Sequence, residues 1–189
     1  EARAMRDDLM LGDTPKALKR RKKLMGAEAR GRLWKHSTLA DIEGLVSRDE
    51  MREMLCFTLV RNPWDRIVSY YHWLKVQNFE HPAVATAKTL GFSDFLRAPA
   101  VAGPIKTHPY ESYLRASDGR ACEALYIRLE HFAEDAAPLM EHLGFELELP
   151  RANASAREDD YRRYFSADDS EVVAELCAED IEKFNYSFD

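Results

Sequence analysis

The sequence lacks any apolar run of the roughly 18 residues that a membrane-spanning helix needs. Its first residues, EARAMRDDLM, also lack the apolar core of a secretory signal peptide. The three cysteines, Cys56, Cys122 and Cys177, match neither a disulfide framework nor a zinc pattern. No internal repeat or low-complexity linker is present. These absences predict a soluble globular protein with reduced cysteines, and they favour a cytoplasmic setting.

The chain has 189 residues, 46% of them hydrophobic, which predicts one domain over residues 1–189. Its net charge is −6, yet residues 16–32 are strongly basic, with Glu28 as their one acid. Such a run can be a solvated helix face, an attractant for an anionic cofactor or acceptor, or a nucleic-acid patch. The solvated face is the commonest of the three. We therefore expect no nucleic-acid partner and no membrane insertion, and the sequence carries no signal for an oligomeric state.

The most informative segment is FTLVRNPWDRIVSYYHWL, residues 57–74, in which a predicted strand leads into a predicted helix. Cys56–Val60 is a short apolar run typical of a buried parallel strand. Pro63 suits the first turn of a helix, and the negative charge of Asp65 suits a helix N-terminus. The predicted helix carries an apolar stripe at i, i+3, i+4 and i+7, formed by Ile67, Tyr70, Tyr71 and Leu74.

A strand that ends at the start of a helix is a common anion site, because backbone N–H groups and the positive helix end face the ligand. Arg61 adds a fork of donors suited to phosphate oxygens, and Ser69 adds a hydroxyl eight residues later. The two side chains therefore form a candidate binding site for one phosphate group. The alternative is an arginine paired with a carboxylate and a serine that lies on a helix flank by chance.

The remaining segments alternate between strand and helix patterns. The predicted elements of the first part are a strand at Arg32–Lys35, a helix capped by Ser37 or Thr38 and running through Val46, and a capping box at Ser47–Glu50. Residues 77–120 are predicted to be mostly irregular, with one amphipathic piece around Phe92–Leu96. A strand at Ala124–Glu130, a helix that Gly144 stops and a last helix over about Ser170–Phe184 follow. This order predicts an α/β fold with a parallel sheet and helices on its faces.

With these pieces in order, the chain resembles the sulfotransferases that use 3′-phosphoadenosine 5′-phosphosulfate (PAPS). Residues 57–74 look like their 3′-phosphate motif, in which Arg61 and Ser69 match the phosphate-binding pair. LYIRLEHFAEDAAPLMEHLGF is similar to a strand-Glu-helix segment of the family, and residues 153–188 are similar to the ending of its carbohydrate-type and bacterial branch. The resemblance covers most of residues 32–189.

The resemblance implies a three-layer fold like that of P-loop nucleotide kinases, with a central parallel sheet between helices. It also implies transfer of a sulfuryl group from PAPS to a hydroxyl of a carbohydrate or another small acceptor, with adenosine 3′,5′-bisphosphate (PAP) as product and no metal. Ser155 and Arg157 then become secondary candidates for contacts to PAPS. The family's Lys/Gly/Ser-rich 5′-phosphosulfate loop has no counterpart here, so we expect that loop and its strand upstream of residue 1.

Sulfuryl transfer needs a base for the acceptor hydroxyl, and histidine suits that role at neutral pH. His36 follows a predicted strand, and RLWKHS resembles the family segment with the catalytic histidine; Lys35 could contact a sulfonate or phosphate oxygen. His108 lies in a similar string, KTHP, but after the Arg61 motif. We assign packing or surface roles to His72, His131 and His142. The runner-up function is a non-catalytic nucleotide- or anion-binding module, and a nucleic-acid binder that uses residues 16–32 is the third.

Overall fold

The computed structural model describes residues 14–24, 29–33, 36–149 and 157–189 of the chain. The α-helices are α1 (Pro15–Leu24), α2 (Leu39–Ile42), α3 (Arg48–Glu53), α4 (Pro63–Lys75), α5 (Pro82–Thr89), α6 (Phe92–Arg97), α7 (Pro99–Thr107), α8 (Phe132–Asp135), α9 (Ala137–Leu143), α10 (Ala167–Leu176) and α11 (Ala178–Phe184). The strands are β1 (Phe57–Val60) and β2 (Leu125–Arg128), and 3₁₀ turns lie at Tyr110–Leu114, Leu129–His131 and Tyr161–Tyr164.

The sheet is small and parallel. β1 pairs with β2 so that Phe57 is opposite Leu125 and Val60 is opposite Arg128. The prediction of a mixed α/β protein with parallel strands is therefore confirmed, although most of the structure is helical. Within the described ranges the sheet has these two strands, and the central sheet of a three-layer fold is not seen.

The described residues form two compact units. The first contains the described residues up to Cys56 together with Tyr110–Ala124. The second contains Phe57–Pro109 and Leu125–Asp189, and therefore both strands. The prediction of one domain remains a prediction, and each unit is described below by itself.

In the first unit, a nearly buried carboxylate accepts hydrogen bonds from several residues. Glu43, 9% exposed, accepts a hydrogen bond from the Ser117 backbone N–H at 3.0 Å and one from Arg30 at 3.2 Å. Hydrogen bonds from the Ser117 hydroxyl and backbone are the main cause that lowers the pKa of Glu43. The apolar part of this unit includes the buried side chains of Leu33, Met51 and Leu114.

In the second unit, the predicted apolar stripe of α4 forms the centre of the core. Its members Ile67, Tyr71 and Leu74 are at most 6% exposed, and they pack with buried side chains of α5, α6, α7 and α10. A smaller cluster lies beside β2, where Ile127 packs with Ala136 and Leu139. Burial of the stripe fixes the orientation of α4, and so determines which of its residues face away from the core.

Several local predictions are confirmed. Pro63 occupies the first position of α4, where its missing N–H removes no hydrogen bond. Ser47 and Glu50 form the predicted capping box at the start of α3. Gly144 ends α9 with a φ of 74°, a backbone conformation that favours glycine.

The stretch over residues 77–120 is not mostly irregular, and that prediction is wrong. It contains α5, α6 and α7 and the 3₁₀ turn at Tyr110–Leu114. The prolines suggested breaks in the chain, but Pro82 and Pro99 stand within the first turn of α5 and α7, where proline is tolerated. These two prolines therefore mark helix starts, whereas Pro104 lies inside α7.

Three further boundaries differ from prediction. The helix expected to reach Val46 ends at Ile42, because Glu43 adopts non-helical angles of −53° and 135°. The last helix starts earlier than expected, with Ser166 as its cap, and is divided into α10 and α11 at Cys177. In the strand predicted over Arg32–Lys35, Arg32 and Leu33 are not in strand conformation, and positions 34 and 35 lie outside the described residues.

Among the residues that the structure describes, no helix is both long and apolar enough to cross a membrane. The three cysteines are free thiols. Burial raises the pKa of Cys177 to about 11, so this thiol stays protonated at neutral pH and behaves as a packing residue.

Asp169, at the start of α10, is a buried carboxylate that joins two helices. It completes a capping box with Ser166, and it accepts hydrogen bonds from Ser93 at 2.7 Å and from Arg97, both on α6. Burial alone would raise its pKa, but these hydrogen bonds together outweigh burial and lower the pKa to about 2.

We expect Asp169→Ala to lower the free energy of unfolding by about 2–4 kcal/mol, because it removes a cap and strips Arg97 and Ser93 of their buried acceptor. The matched control is Asp168→Ala, an exposed aspartate in the same helical turn, which should cost less than about 0.5 kcal/mol. Urea denaturation measures both. The Asp169 contribution is present above the unfolded pKa near 3.8 and should disappear as the pH falls toward about 2. Equal losses in the two variants would contradict this account.

Candidate functional site

The junction between β1 and α4 begins with Asn62, whose side chain caps the helix. Its Oδ1 accepts hydrogen bonds from the backbone N–H groups of Trp64 at 3.0 Å and Asp65 at 3.4 Å. The Asn62 N–H donates to a carboxylate oxygen of Glu130 at 2.6 Å. These backbone donors are therefore already occupied, contrary to the expectation that they would face an anion. The hydrogen-bond donors for any anion at this junction must therefore be side chains.

Asn62 also attaches the end of the chain to the start of α4. Its Nδ2 donates to the backbone carbonyl of Ser187 at 3.0 Å. Tyr161 donates its hydroxyl proton to the carbonyl of Phe188 at 2.9 Å, and Tyr186 donates to Glu130 at 3.2 Å. These bonds place the C-terminal residues of the second unit beside the β1–α4 junction.

At the centre of the candidate site, two arginines share the carboxylate of Asp65. Arg61 Nε donates to one oxygen at 2.6 Å, and Arg157 Nη2 donates to the other at 2.6 Å. The side chains are 27%, 18% and 13% exposed for Arg61, Asp65 and Arg157 respectively. Two guanidinium groups face one carboxylate, so this cluster carries an excess positive charge in a partly desolvated place.

Ser69 and His72 continue the same face of α4. Residues spaced by four and then three positions on a helix project within about 60° of one another, so Asp65, Ser69 and His72 form one polar stripe. All three side chains are partly buried. No hydrogen bond joins the Ser69 hydroxyl to another described residue, so this hydroxyl is available to a ligand.

The segment from Arg157 to Tyr164 packs along this stripe. The ring of Tyr164 meets the ring of His72 edge-on, with 5.1 Å between centroids, and the Tyr164 hydroxyl accepts a hydrogen bond from the Glu158 N–H at 3.0 Å. Burial lowers the pKa of His72, and the nearby charges of Lys75 and Arg157 lower it further. His72 is therefore neutral at pH 7.

Two buried polar atoms beside this stripe have no hydrogen-bond partner among the described residues. They are Nε2 of His72 and Nη1 of Arg157, whose neighbouring Nη2 donates to Asp65. Unpaired buried polar atoms are rare in folded proteins and often mark the place of a ligand or an ordered water.

The structure brings some of the predicted site residues together. Arg61 and Arg157 share Asp65, and Ser69 lies one helical turn further along the same face. His36 is an exposed turn residue of the first unit, just before Thr38, which caps α2. The predicted contacts of Lys35 and Ser155 lie outside the described residues.

The sequence does not predict Asp65 and His72 as site residues. The signal was present in the spacing of Asp65, Ser69 and His72, which sets a polar stripe on the flank of an amphipathic helix. The partner of that stripe was not visible, because Arg157 lies 92 residues from Asp65 along the chain.

The other histidine considered for catalysis, His108, follows α7 directly. Its Nδ1 lies 3.0 Å from the carbonyl of Pro104 and 2.9 Å from the Thr107 hydroxyl. These contacts place His108 at the C-cap of α7, where it completes the local hydrogen bonding of the helix end.

A separate groove of about 470 Å³ lies beside β2 and α11 in the second unit. In it, Lys183 Nζ lies 4.4 Å from the centroid of the Tyr126 ring and donates to the Tyr126 hydroxyl at 3.0 Å. Burial lowers the pKa of Lys183. None of the predicted site residues lines this groove.

Comparison of the chain with family models, with curated proteins and with solved structures finds no match. Function must therefore be inferred from the residues of the chain and their geometry.

We expect Asp65→Asn to lower the free energy of unfolding by about 2–3 kcal/mol, because it leaves two guanidinium groups close together without their shared counter-ion. The loss should shrink as salt is added, since salt screens the repulsion. The control is Asp94→Asn, an exposed aspartate in the first turn of α6, which tests the helix-dipole effect alone. Chemical denaturation at low and high ionic strength measures both. A loss that salt does not change would argue against charge repulsion.

Proposed function

We propose that this chain is a PAPS-dependent sulfotransferase whose phosphate-binding site is the Arg61–Asp65–Arg157 cluster together with Ser69. The observation that supports this proposal best is the arrangement of the two guanidinium groups on one carboxylate, beside an unpaired hydroxyl on α4. The same residues match the phosphate motif and one of the C-terminal positions that the family resemblance implies.

The chemistry of this donor set fits a phosphate monoester. Such a group carries nearly two negative charges and three acceptor oxygens. Asp65 accepts hydrogen bonds from one edge of each guanidinium group, which fixes the orientation of both arginines before a ligand binds. Their remaining nitrogens can then donate to the ligand. Ser69 adds a neutral donor, and the unpaired Nη1 of Arg157 adds a charged one. The cluster therefore suits the 3′-phosphate of PAPS or PAP.

The finer fold is also part of the proposal: β1 and β2 belong to a three-layer fold with a larger central parallel sheet. Phe57 and Leu59, alternate residues of β1, are 47% and 40% exposed, whereas Ile127 on β2 is fully buried. Exposed apolar residues on one face of a strand fit a strand that further structure covers.

In the proposed reaction, PAPS supplies the sulfuryl group that passes to an acceptor hydroxyl. His36 takes the proton of that hydroxyl, and Lys35 contacts a charged oxygen near the reacting centre. Ser155 and Arg157 hold the donor with Arg61 and Ser69. We propose a carbohydrate or another small molecule as acceptor, with no metal and no nucleic acid involved, and a cytoplasmic setting.

A second candidate function is a non-catalytic module that binds nucleotides or other anions through the same cluster. One observation favours it. Of the two described strands, β1 is followed by Arg61-Asn62 and β2 by a 3₁₀ turn, so neither leads into a Lys/Gly/Ser-rich phosphate loop. Turnover of PAPS separates the two functions, because both predict that PAP binds.

We expect Arg61→Ala to weaken PAP binding by about 10–150-fold, because a hydrogen bond to a charged group contributes about 1.5–3 kcal/mol. Ser69→Ala should weaken it less, by up to about tenfold, because it removes one neutral donor. The control is Arg163→Ala, an arginine that is 70% exposed and paired with Glu158. Calorimetric titration with PAP measures all three. Unchanged affinity in a folded Arg61→Ala variant would refute the phosphate assignment.

We expect His36→Ala to lower the turnover of PAPS by about 10²–10⁴-fold, the usual effect of losing a general base. Its affinity for PAP should stay near that of the wild type, since the phosphate ligands are on other residues. His108→Ala, which removes only the contacts at the end of α7, should lose far less activity. PAP release in the presence of an accepted hydroxyl substrate is the assay. An inactive His108→Ala beside an active His36→Ala would reverse the assignment.

A further inference from the structure

The two unpaired buried atoms beside α4 belong to Arg157 and His72. Arg157 approaches the polar stripe at Asp65, its first member, and His72 is the last member of the stripe. Burial is the main cause that lowers the pKa of His72, and the charge of Arg157 lowers it further. Ser69 projects from α4 between Asp65 and His72. Nη1, the Ser69 hydroxyl and Nε2 therefore lie along one side of α4.

These three atoms differ in what they offer to a ligand. Nη1 of Arg157 is a permanent charged donor, and the Ser69 hydroxyl can donate or accept. Nε2 of a neutral His72 is an acceptor when Nδ1 carries the proton, and a donor once it is protonated. A fully ionised phosphate has only acceptor oxygens, so every ligand must donate a hydrogen bond to it. Arg157 and Ser69 can do so without any change, whereas His72 can do so through Nε2 only when the imidazole is protonated.

We propose that His72 is a further ligand of the phosphate group, and that its Nε2 takes up one proton as the phosphate binds. This inference rests on the proposed function, since it places the phosphate at the same face of α4. An N–H bond forms at Nε2 with a proton from solvent, and no bond of the ligand is broken. The phosphate then lies against Arg61, Arg157, Ser69 and a cationic His72.

The surroundings of His72 explain why the proton arrives with the ligand. The charged groups that act on its ring are Lys75 on α4 and Arg157 from the following segment, whose own partner is Asp65, and the rings of Tyr71 and Tyr164 pack edge-on against the imidazole. Asp65 is already shared by two arginines, so the net local charge is positive and the imidazole stays neutral. A phosphate with nearly two negative charges reverses this balance.

An ordered water could also bridge the two unpaired atoms, and the test must tell it from a phosphate. A water that bridges them leaves His72 neutral and binds no proton. A phosphate that contacts Nε2 couples its binding to protonation, so its affinity rises as the pH falls. The number of protons taken up is therefore the decisive quantity.

The experiment is titration calorimetry of the protein with PAP at pH 7.5, in two phosphate-free buffers that differ in ionisation enthalpy. We expect an uptake on the order of one proton per PAP in the wild type. Affinity should increase by up to about tenfold for each unit that the pH is lowered from 8 toward the pKa of free His72. PAP titrates by itself in this range, so the difference between variants is what counts.

The decisive variant is His72→Gln, which keeps a side-chain donor but cannot be protonated. It should still bind PAP, but with the extra proton uptake and the extra pH dependence removed. The matched control is His142→Gln, an exposed histidine on α9, which should behave as the wild type. Equal proton uptake in the wild type and His72→Gln would overturn the inference while leaving PAP binding, and so the proposed function, intact.

A measurement on the wild type guards against a variant that does not fold. Imidazole ¹³C and ¹⁵N resonances report the protonation of His72 during titration with inorganic phosphate and with PAP. We expect them to move to imidazolium values at pH 7 as the site fills. A His72 that stays neutral while PAP saturates the protein, as a bridging water alone would leave it, refutes the inference only. Failure of PAP to bind the wild type refutes both the inference and the proposed function.

Discussion

The carboxylate of Asp65 holds the candidate site together. It accepts from Arg61 on one oxygen and from Arg157 on the other, and so joins the end of β1, the first turn of α4 and the segment that begins at Arg157. Without this shared counter-ion the two guanidinium groups would repel each other at close range. The position of Arg157 and the packing of Tyr164 on His72 both depend on the contact at Asp65, because it fixes where that segment meets the helix.

Asn62 determines which part of the β1–α4 junction can meet a ligand. Its side chain occupies the N–H groups of Trp64 and Asp65, and Glu130 occupies its own N–H. Backbone donors at the helix start, the usual means of anion binding in α/β proteins, are therefore used internally. The excess positive charge instead comes from the two arginine side chains beside α4, and Ser69 adds a neutral donor.

The parts of this structure that could be predicted from the sequence are those set by neighbouring residues. The strand before Arg61, Pro63 at the helix start and the Ser47–Glu50 capping box depend on contacts within a few positions. Helices α5 and α7 were missed because proline at a helix start and proline as a helix breaker look alike in sequence. Helix α6 coincides with the amphipathic piece predicted around Phe92–Leu96. The Asp65–Arg157 contact and the unpaired Nε2 of His72 arise only when distant segments pack.

The two arginines of the site differ in how far they lie from Asp65 along the chain, and so in when they can meet it during synthesis. Arg61 is four residues away and can pair with Asp65 as soon as α4 forms, and this pair by itself carries no net charge. Arg157 is 92 residues away and emerges from the ribosome much later. The second guanidinium group of the cluster, and with it the cluster's excess positive charge, is thus added only when the segment that begins at Arg157 docks on α4.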